Sequence, residues 1–424
     1  MNEAFLHYIW QTKQFSQNNL CTTDGEQILL KNVGMHNTHS GPDFVGAILE
    51  MNATRWAGNI EIHVKSSDWF LHSHQTDKQY DTCILHVVFE HDSDVFRTNG
   101  TKIPCVELKD KISPNLIAKY ETITNNKNQI PCETMLHLAS ESTKALYVEQ
   151  LAIERLQEKT EPILQKLEQQ NNDWQEVFYQ EVCRAMGLKI NQTPFEMLAK
   201  MLPNKLLAKH KNNLFQTEAL IFGVAGFLTD SLVDSYGKDL YSEFQFLKAK
   251  YQLQTIPPHL WKFLRLRPAN FPTIRLAQLA VLIHKNEHLF AQTKENLNTK
   301  ALHKLFKSDV SEYWKTHYRF DTLSELKEKK LGRLAIDLVI INAIVPTVFC
   351  YAHSIDSEAL TVEALTLLEN TLPEKNNVVQ FYEKHGFLAK NALQTQGILQ
   401  LKTKYCTFKK CLVCSVGHSI LKQK

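Results

Sequence analysis

The chain has 424 residues, 43% hydrophobic and 22% charged, which excludes a disordered chain and exceeds one typical core, so two or three domains are expected. A formal charge of +3 excludes a strongly basic nucleic-acid binder, so any contact with DNA or RNA must come from a local patch. The nine cysteines are an odd number, and Cys83, Cys183 and Cys350 lie in apolar contexts. Glu3, His7 and Trp10 stand where a secretory leader would be apolar, so reduced thiols and a cytoplasmic location are expected. The longest apolar run, Leu334 to Ala352, contains Asp337, Asn342 and Pro346. It suits a buried helix better than a membrane span, and no membrane partner is expected.

In chain order, Phe5, Tyr8, Ile9 and Phe15 fall near helical spacing, which predicts a short first helix. Glu26–Val33 reads as a strand that Gly34 ends, and Phe44–Met51 and Asn59–Lys65 as strands separated by the turn-like stretch Asn52–Gly58. His72–Tyr80 is polar and reads as a short helix or loop. Thr82–Glu90, rich in β-branched residues, reads as a buried strand. Lys102–Lys109 is a further strand, placed at an edge by Pro104. This gives a mixed α/β domain over residues 1–112, a linker over 113–139 and an all-helical region over 140–424, an α+β fold overall. Within the last, Thr193-Pro194-Phe195-Glu196 reads as a capping box, and Gly187 as the end of the preceding helix.

The chemistry concentrates early. Seven of the 18 histidines lie between His36 and His91. In Ile60-Glu61-Ile62-His63-Val64-Lys65, strand alternation puts Glu61, His63 and Lys65 on one face, spread over about 13 Å. Asp43, after the turn signal Gly41-Pro42, opens the preceding strand and reaches Glu61 if the two strands pair antiparallel. Two carboxylates at one point repel unless a cation lies between them, and a divalent ion there can activate water against a phosphate. The blander readings are a turn cap for Asp43, a core histidine for His86 and a solvated strand end for Lys65.

Gly41-Pro42-Asp43, followed by a strand carrying Glu61-Ile62-His63, resembles the PD-(D/E)xK nuclease pattern, and the order helix–strand–strand–strand–helix–strand resembles its core. The resemblance implies Asp43 and Glu61 as ligands of Mg²⁺ or Mn²⁺, with His63 or Lys65 assisting the attacking water. His63 stands where that family keeps lysine. Gln75 and Tyr80 loosely resemble the glutamine–tyrosine motif of its RecB-like members. His36, His39, His72, His74 and Asp77 are expected to line the same cleft. His72-Ser73-His74 with Asp77 also resembles the metallo-β-lactamase motif, but Asp77 comes one residue too late and Lys78 follows it. The implied activity is hydrolysis of nucleic-acid phosphodiesters; the alternative is a scaffold or nucleic-acid-binding protein with a degenerate site.

Near the C-terminus, Cys406, Cys411 and Cys414 stand at metal-ligand spacing, with His418 or the distant Cys132 as fourth ligand. One upstream cysteine plus three C-terminal ones resembles the iron–sulfur clasp of some RecB-like nucleases, with the order of gaps reversed. Zinc and iron–sulfur both remain open, as does simple packing of thiols on a helix. Lys205 and Lys209 in one basic stretch, and Arg267 and Arg275 flanking Phe271, are candidate phosphate contacts; a solvated helix face and a rigid turn are the blander readings. Gly41 to Phe44, Gly58 to His63, Leu85 to Val88, Arg267 to Pro272 and Tyr405 to Cys414 together resemble a bacterial family catalogued as domain of unknown function 2851. That resemblance implies a shared fold and supplies no activity.

Overall fold

The computed structural model describes residues 1–423. The first helix, α1 (Glu3–Gln11), starts where Asn2 Oδ1 accepts the Phe5 N–H at 3.0 Å, and it buries Phe5, Leu6, Tyr8, Ile9 and Trp10. Six strands follow: β1 (Ile28–Asn32), β2 (Met35–His36), β3 (Phe44–Met51), β4 (Thr54–Lys65), β5 (Cys83–Glu90) and β6 (Cys105–Glu107). They form one mixed sheet in the order β1-β3-β4-β5-β6, with β2 also paired to β3. The β1–β3 and β3–β4 pairs are antiparallel; β4–β5 and β5–β6 are parallel. β5 is buried over its first six residues, as a central parallel strand requires, and β6 forms an edge.

The β3–β4 connection is tighter than expected. Met51 pairs with Thr54, and only Asn52 and Ala53 turn the chain, both at positive φ. β4 therefore runs for 12 residues, beginning before Asn59. Gly58 is needed where β4 meets the start of β5, since a Cβ there would stand 2.4 Å from Ile84 Cγ2. Between β4 and β5 the chain crosses over through α2 (Asp68–Leu71) and the 3-10 turns His74–Thr76 and Lys78–Thr82.

Two compact units emerge: residues 1–144 with 402–424, and residues 145–401. The stretch expected to be a linker carries α3 (Pro114–Asn125) and the 3-10 segment Glu133–Leu138, and it belongs to the first unit. Its apolar residues Leu116, Tyr120, Ile123 and Leu136 are buried, which is why it folds rather than links. The last stretch, 402–424, likewise belongs with the sheet-containing unit and not with the helical one. The second unit is helical apart from the hairpin of His317–Arg319 with Thr322–Leu323. Its apolar segment Arg333–Ser354 is long enough to cross a bilayer, but 72% of its most apolar stretch is buried and Asp337 within it bonds His303 at 2.7 Å.

Two local expectations are corrected. The helix at Thr193 begins earlier, at Gln192, with no side-chain cap; Glu196 is drawn away by Lys166 at 3.0 Å. Gly187 does end the helix Trp174–Met186. Arg275 is no phosphate contact: it is buried, with Asn270 Oδ1 accepting at 2.7 Å and Gln278 Oε1 at 3.2 Å, and burial lowers its pKa to about 10. Lys205 and Lys209 are exposed, the former paired with Asp173 at 2.9 Å, and Arg267 is exposed in its turn.

Gly397 packs the helix Ala392–Gln400 against Val148, where a Cβ would stand 1.8 Å from the Val148 carbonyl oxygen. Backbone cannot move aside as a side chain can. Gly397→Ala is expected to cost about 2 kcal/mol or more in thermal or urea unfolding; an unchanged midpoint would refute this packing.

Candidate metal centre

β3 and β4 exchange hydrogen bonds through side chains where β3 begins. The pairing register shifts between Phe44 and Ala47, with Gly46 at φ +72°. On the other side of the Phe44–Ile60 pair from that break, the Asp43 N–H donates to Glu61 Oε2 at 3.0 Å, and the Ile62 N–H donates to Asp43 Oδ2 at 2.9 Å. The two carboxylates are thus locked side by side. From α1, His7 Nε2 reaches Asp43 Oδ2 at 3.1 Å.

Histidines complete the group. Glu61 Oε1 lies 3.2 Å from His74 Nε2 and 3.6 Å from His63 Nε2. His63 Nε2 lies 3.0 Å from His72 Nδ1, and His63 Nδ1 lies 2.8 Å from His86 Nε2. His63, His72 and His74 offer ligand atoms all within 4.8 Å of one another. His72 is exposed while Glu61, His63, His74 and His86 are buried, so the group opens to solvent beside His72. The crossover supplies His72 and His74; Tyr80, from the same segment, stacks on His74 with ring centres 3.7 Å apart.

Burial, then the surrounding imidazoles, pushes the His63 pKa down to about 2; burial pushes His86 down to about 3. Both rings are neutral near pH 7, the form that binds a metal. Burial raises the Glu61 carboxyl, while His74 opposes the shift. His7 is raised because the Asp43 hydrogen bond and charge outweigh burial. Burial, then the Glu61 charge, raises the Tyr80 phenol to about 12.

A metal fits these donors. A tetrahedral ion with ligand nitrogens at about 2.0–2.1 Å spaces them about 3.3 Å apart. The His63 Nε2–His72 Nδ1 separation of 3.0 Å is near that value, and the three ligand nitrogens lie within 4.8 Å of one another. His74 Nε2 is buried without a well-directed hydrogen bond, although Glu61 Oε1 is within ion-contact distance. A nitrogen lone pair turned toward a ligand sphere explains both facts. Asp43 instead spends Oδ2 on the Ile62 N–H and His7, so it holds Glu61 in place more than it completes a ligand set.

The structure brings together Asp43, Glu61, His63, His72 and His74, and separates other candidates. Lys65 is exposed at the end of β4, its N–H held by Asp68 Oδ2 at 2.9 Å; alternation gave its face but not its depth. Asp77 is exposed and caps a turn, accepting the Gln79 N–H at 2.9 Å. His39 is exposed in the turn before Gly41. His36 is exposed, its ring 5.2 Å from that of His7. His7 went unread because it lies on α1, far from the cluster in sequence; its one signal was a histidine among buried apolar residues.

The neutral rings make metal-free protein acid-sensitive. Unfolded imidazoles titrate near pH 6.5, so below that the unfolded chain takes up protons that His63 and His86 refuse. Stability should fall by roughly 1.4 kcal/mol per pH unit for each ring between pH 6.5 and their folded values. The raised Glu61 opposes this only at lower pH, as its carboxyl protonates. Urea unfolding of chelator-treated protein at pH 7 and pH 5 checks it, with His86→Gln expected to flatten the slope. A stability constant over that interval would contradict the burial of neutral rings.

Comparison with curated proteins and with solved structures gives no match. A family model matches residues 3–377, so the chain belongs to the family described as Protein of unknown function (DUF2851).

Proposed function

We propose that this chain is a metal-dependent hydrolase of nucleic-acid phosphodiesters, with its reaction centre at Glu61, His63, His72 and His74. The observation that carries this is the set of three imidazoles within 4.8 Å of one another beside a buried carboxylate, open to solvent at one histidine. A PD-(D/E)xK-like order of Asp43 and Glu61 on adjacent strands supports the phosphodiester assignment.

Three imidazole nitrogens suit Mn²⁺ or Zn²⁺ and would leave a position open for water; Mg²⁺ prefers an oxygen shell. Such an ion, when bound, lowers the pKa of a water and polarises a phosphoryl oxygen. Glu61, its pKa raised by burial, is suited to take a proton at Oε1. Asp43 orients Glu61 through the paired backbone bonds. His86 fixes the tautomer of His63 through Nδ1, leaving Nε2 for ligation. His7, the imidazole whose pKa is raised, can carry positive charge toward a phosphate.

The second reading, a nucleic-acid-binding scaffold, draws on His63 in the lysine position and on the exposure of Lys65. One assay separates the two: purified protein with Mn²⁺, Zn²⁺ or Mg²⁺ and single- and double-stranded DNA and RNA, beside Glu61→Gln and His72→Ala. Cleavage should require Mn²⁺ or Zn²⁺. His72→Ala, which removes a ligand at an exposed position, should weaken metal binding by more than the roughly 10- to 100-fold that loss of an outer-shell partner costs, and Glu61→Gln should abolish turnover. Binding without cleavage would favour the scaffold; cleavage indifferent to both substitutions would remove the site.

A further inference from the structure

A second group of ligand-type side chains lies in the same unit. The last helix, Ser415–Lys422, has Cys414 as its N-cap residue. It packs against the 3-10 segment Glu133–Leu138, which has Cys132 as its own N-cap residue. Cys411 opens the 3-10 turn Cys411–Val413, and the Cys414 N–H donates to its carbonyl oxygen at 3.4 Å. Cys406 ends a π-helical turn, a local distortion frequent at functional sites. The termini of four short elements thus carry the four cysteines.

Close packing fixes their arrangement. A Cβ at Gly417 would stand 2.2 Å from the Cys411 carbonyl oxygen, so only glycine lets the last helix seat on the cysteine turn. Lys409 Nζ donates to the Thr124 carbonyl at 2.5 Å, and Gln423 Nε2 to the Leu138 carbonyl at 3.3 Å, so the final segment is tied to α3 and its successor on both sides. Cys132, Cys411 and Cys414 are buried and Cys406 half-buried. Burial raises the Cys132 thiol, and the charges of Cys411, Cys414 and Cys406 raise it further, which requires all three near it. Burial raises Cys411 to about 12, with Cys414 and Cys406 adding and Lys409 opposing.

His418 takes no part. Its ring faces Tyr8 edge-on at 5.5 Å, and it lines a surface groove with Thr143 and Lys422. Burial and Lys422 lower its pKa, with no cysteine among the causes. Cys132 is the fourth member.

The spacing points to the kind of centre. One zinc ion with Zn–S near 2.3 Å draws its sulfurs to about 3.8 Å from one another. Among the described residues, the histidine trio is the one group of three or more ligand atoms within 4.8 Å, so no three of these sulfurs meet that limit. An iron–sulfur cubane binds each thiolate at a different iron and suits a wider cage.

We propose that Cys132, Cys406, Cys411 and Cys414 ligate an iron–sulfur cluster that fastens the C-terminal segment to the sheet-containing unit. The assignment does not depend on the reaction proposed at Glu61. Full-length protein purified without oxygen, or reconstituted with ferrous iron and sulfide, should show a broad visible absorption band and equal amounts of iron and acid-labile sulfide. Cys132→Ser and Cys411→Ser should each lose the band and lower the melting temperature; Cys21→Ser should keep both. If either variant fails to fold, electron paramagnetic resonance of the dithionite-reduced wild type decides, with a cluster signal expected. A bound zinc ion in place of iron, wild type without iron after reconstitution, or a band surviving in Cys132→Ser would overturn the assignment.

Discussion

The first unit depends on one reciprocal contact: Asp43 and Glu61 each receive the backbone N–H of the other's strand. A buried carboxylate is costly unless hydrogen-bonded. A bond from an N–H to a charged acceptor contributes about 1.5–3 kcal/mol, and leaving the N–H unpaired costs a comparable amount. The exchange therefore offsets the burial of the Glu61 carboxylate and extends the contact between the two strands past the Phe44–Ile60 pair. It also fixes where both carboxylates point.

From that pair the rest of the centre follows by topology. β4 and β5 are parallel, so the chain must cross over between them, and the crossover is short. It passes beside the Glu61 end of β4 and delivers His72 and His74 there. Glu61 and His86 are neighbours across the parallel pair, which sets His86 behind His63. A file of imidazoles therefore runs from the buried His86 through His63 to the exposed His72, with the first two neutral. Neutral rings in a low-dielectric site remain ready to ligate and lose little by doing so.

Much of this was legible beforehand where one local rule governed. Alternation in Glu61-Ile62-His63 and the turn at Gly41-Pro42 anticipated two adjacent strands with facing carboxylates. β-branched density anticipated β5 as a buried strand, and Pro104 anticipated the edge position of β6. Where depth mattered, periodicity failed: Lys65 shares a face with Glu61 yet ends in solvent, and Arg275 was read as a candidate phosphate contact although it is buried, with Asn270 and Gln278 accepting from its two terminal nitrogens. Where long-range contact decided, nothing local could speak. His7, the membership of 402–424 in the first unit and the convergence of Cys132 with Cys411 all join residues remote in sequence.

The central claim is that the His63, His72 and His74 imidazoles form a metal centre rather than a hydrogen-bonded histidine file. Anomalous scattering from crystals equilibrated with Mn²⁺ or Zn²⁺ tests it most directly. The account predicts a peak within bonding distance of all three rings, with Glu61 alongside. A metal-free group that retains the direct His63–His72 hydrogen bond in saturating Mn²⁺ and Zn²⁺ would contradict it.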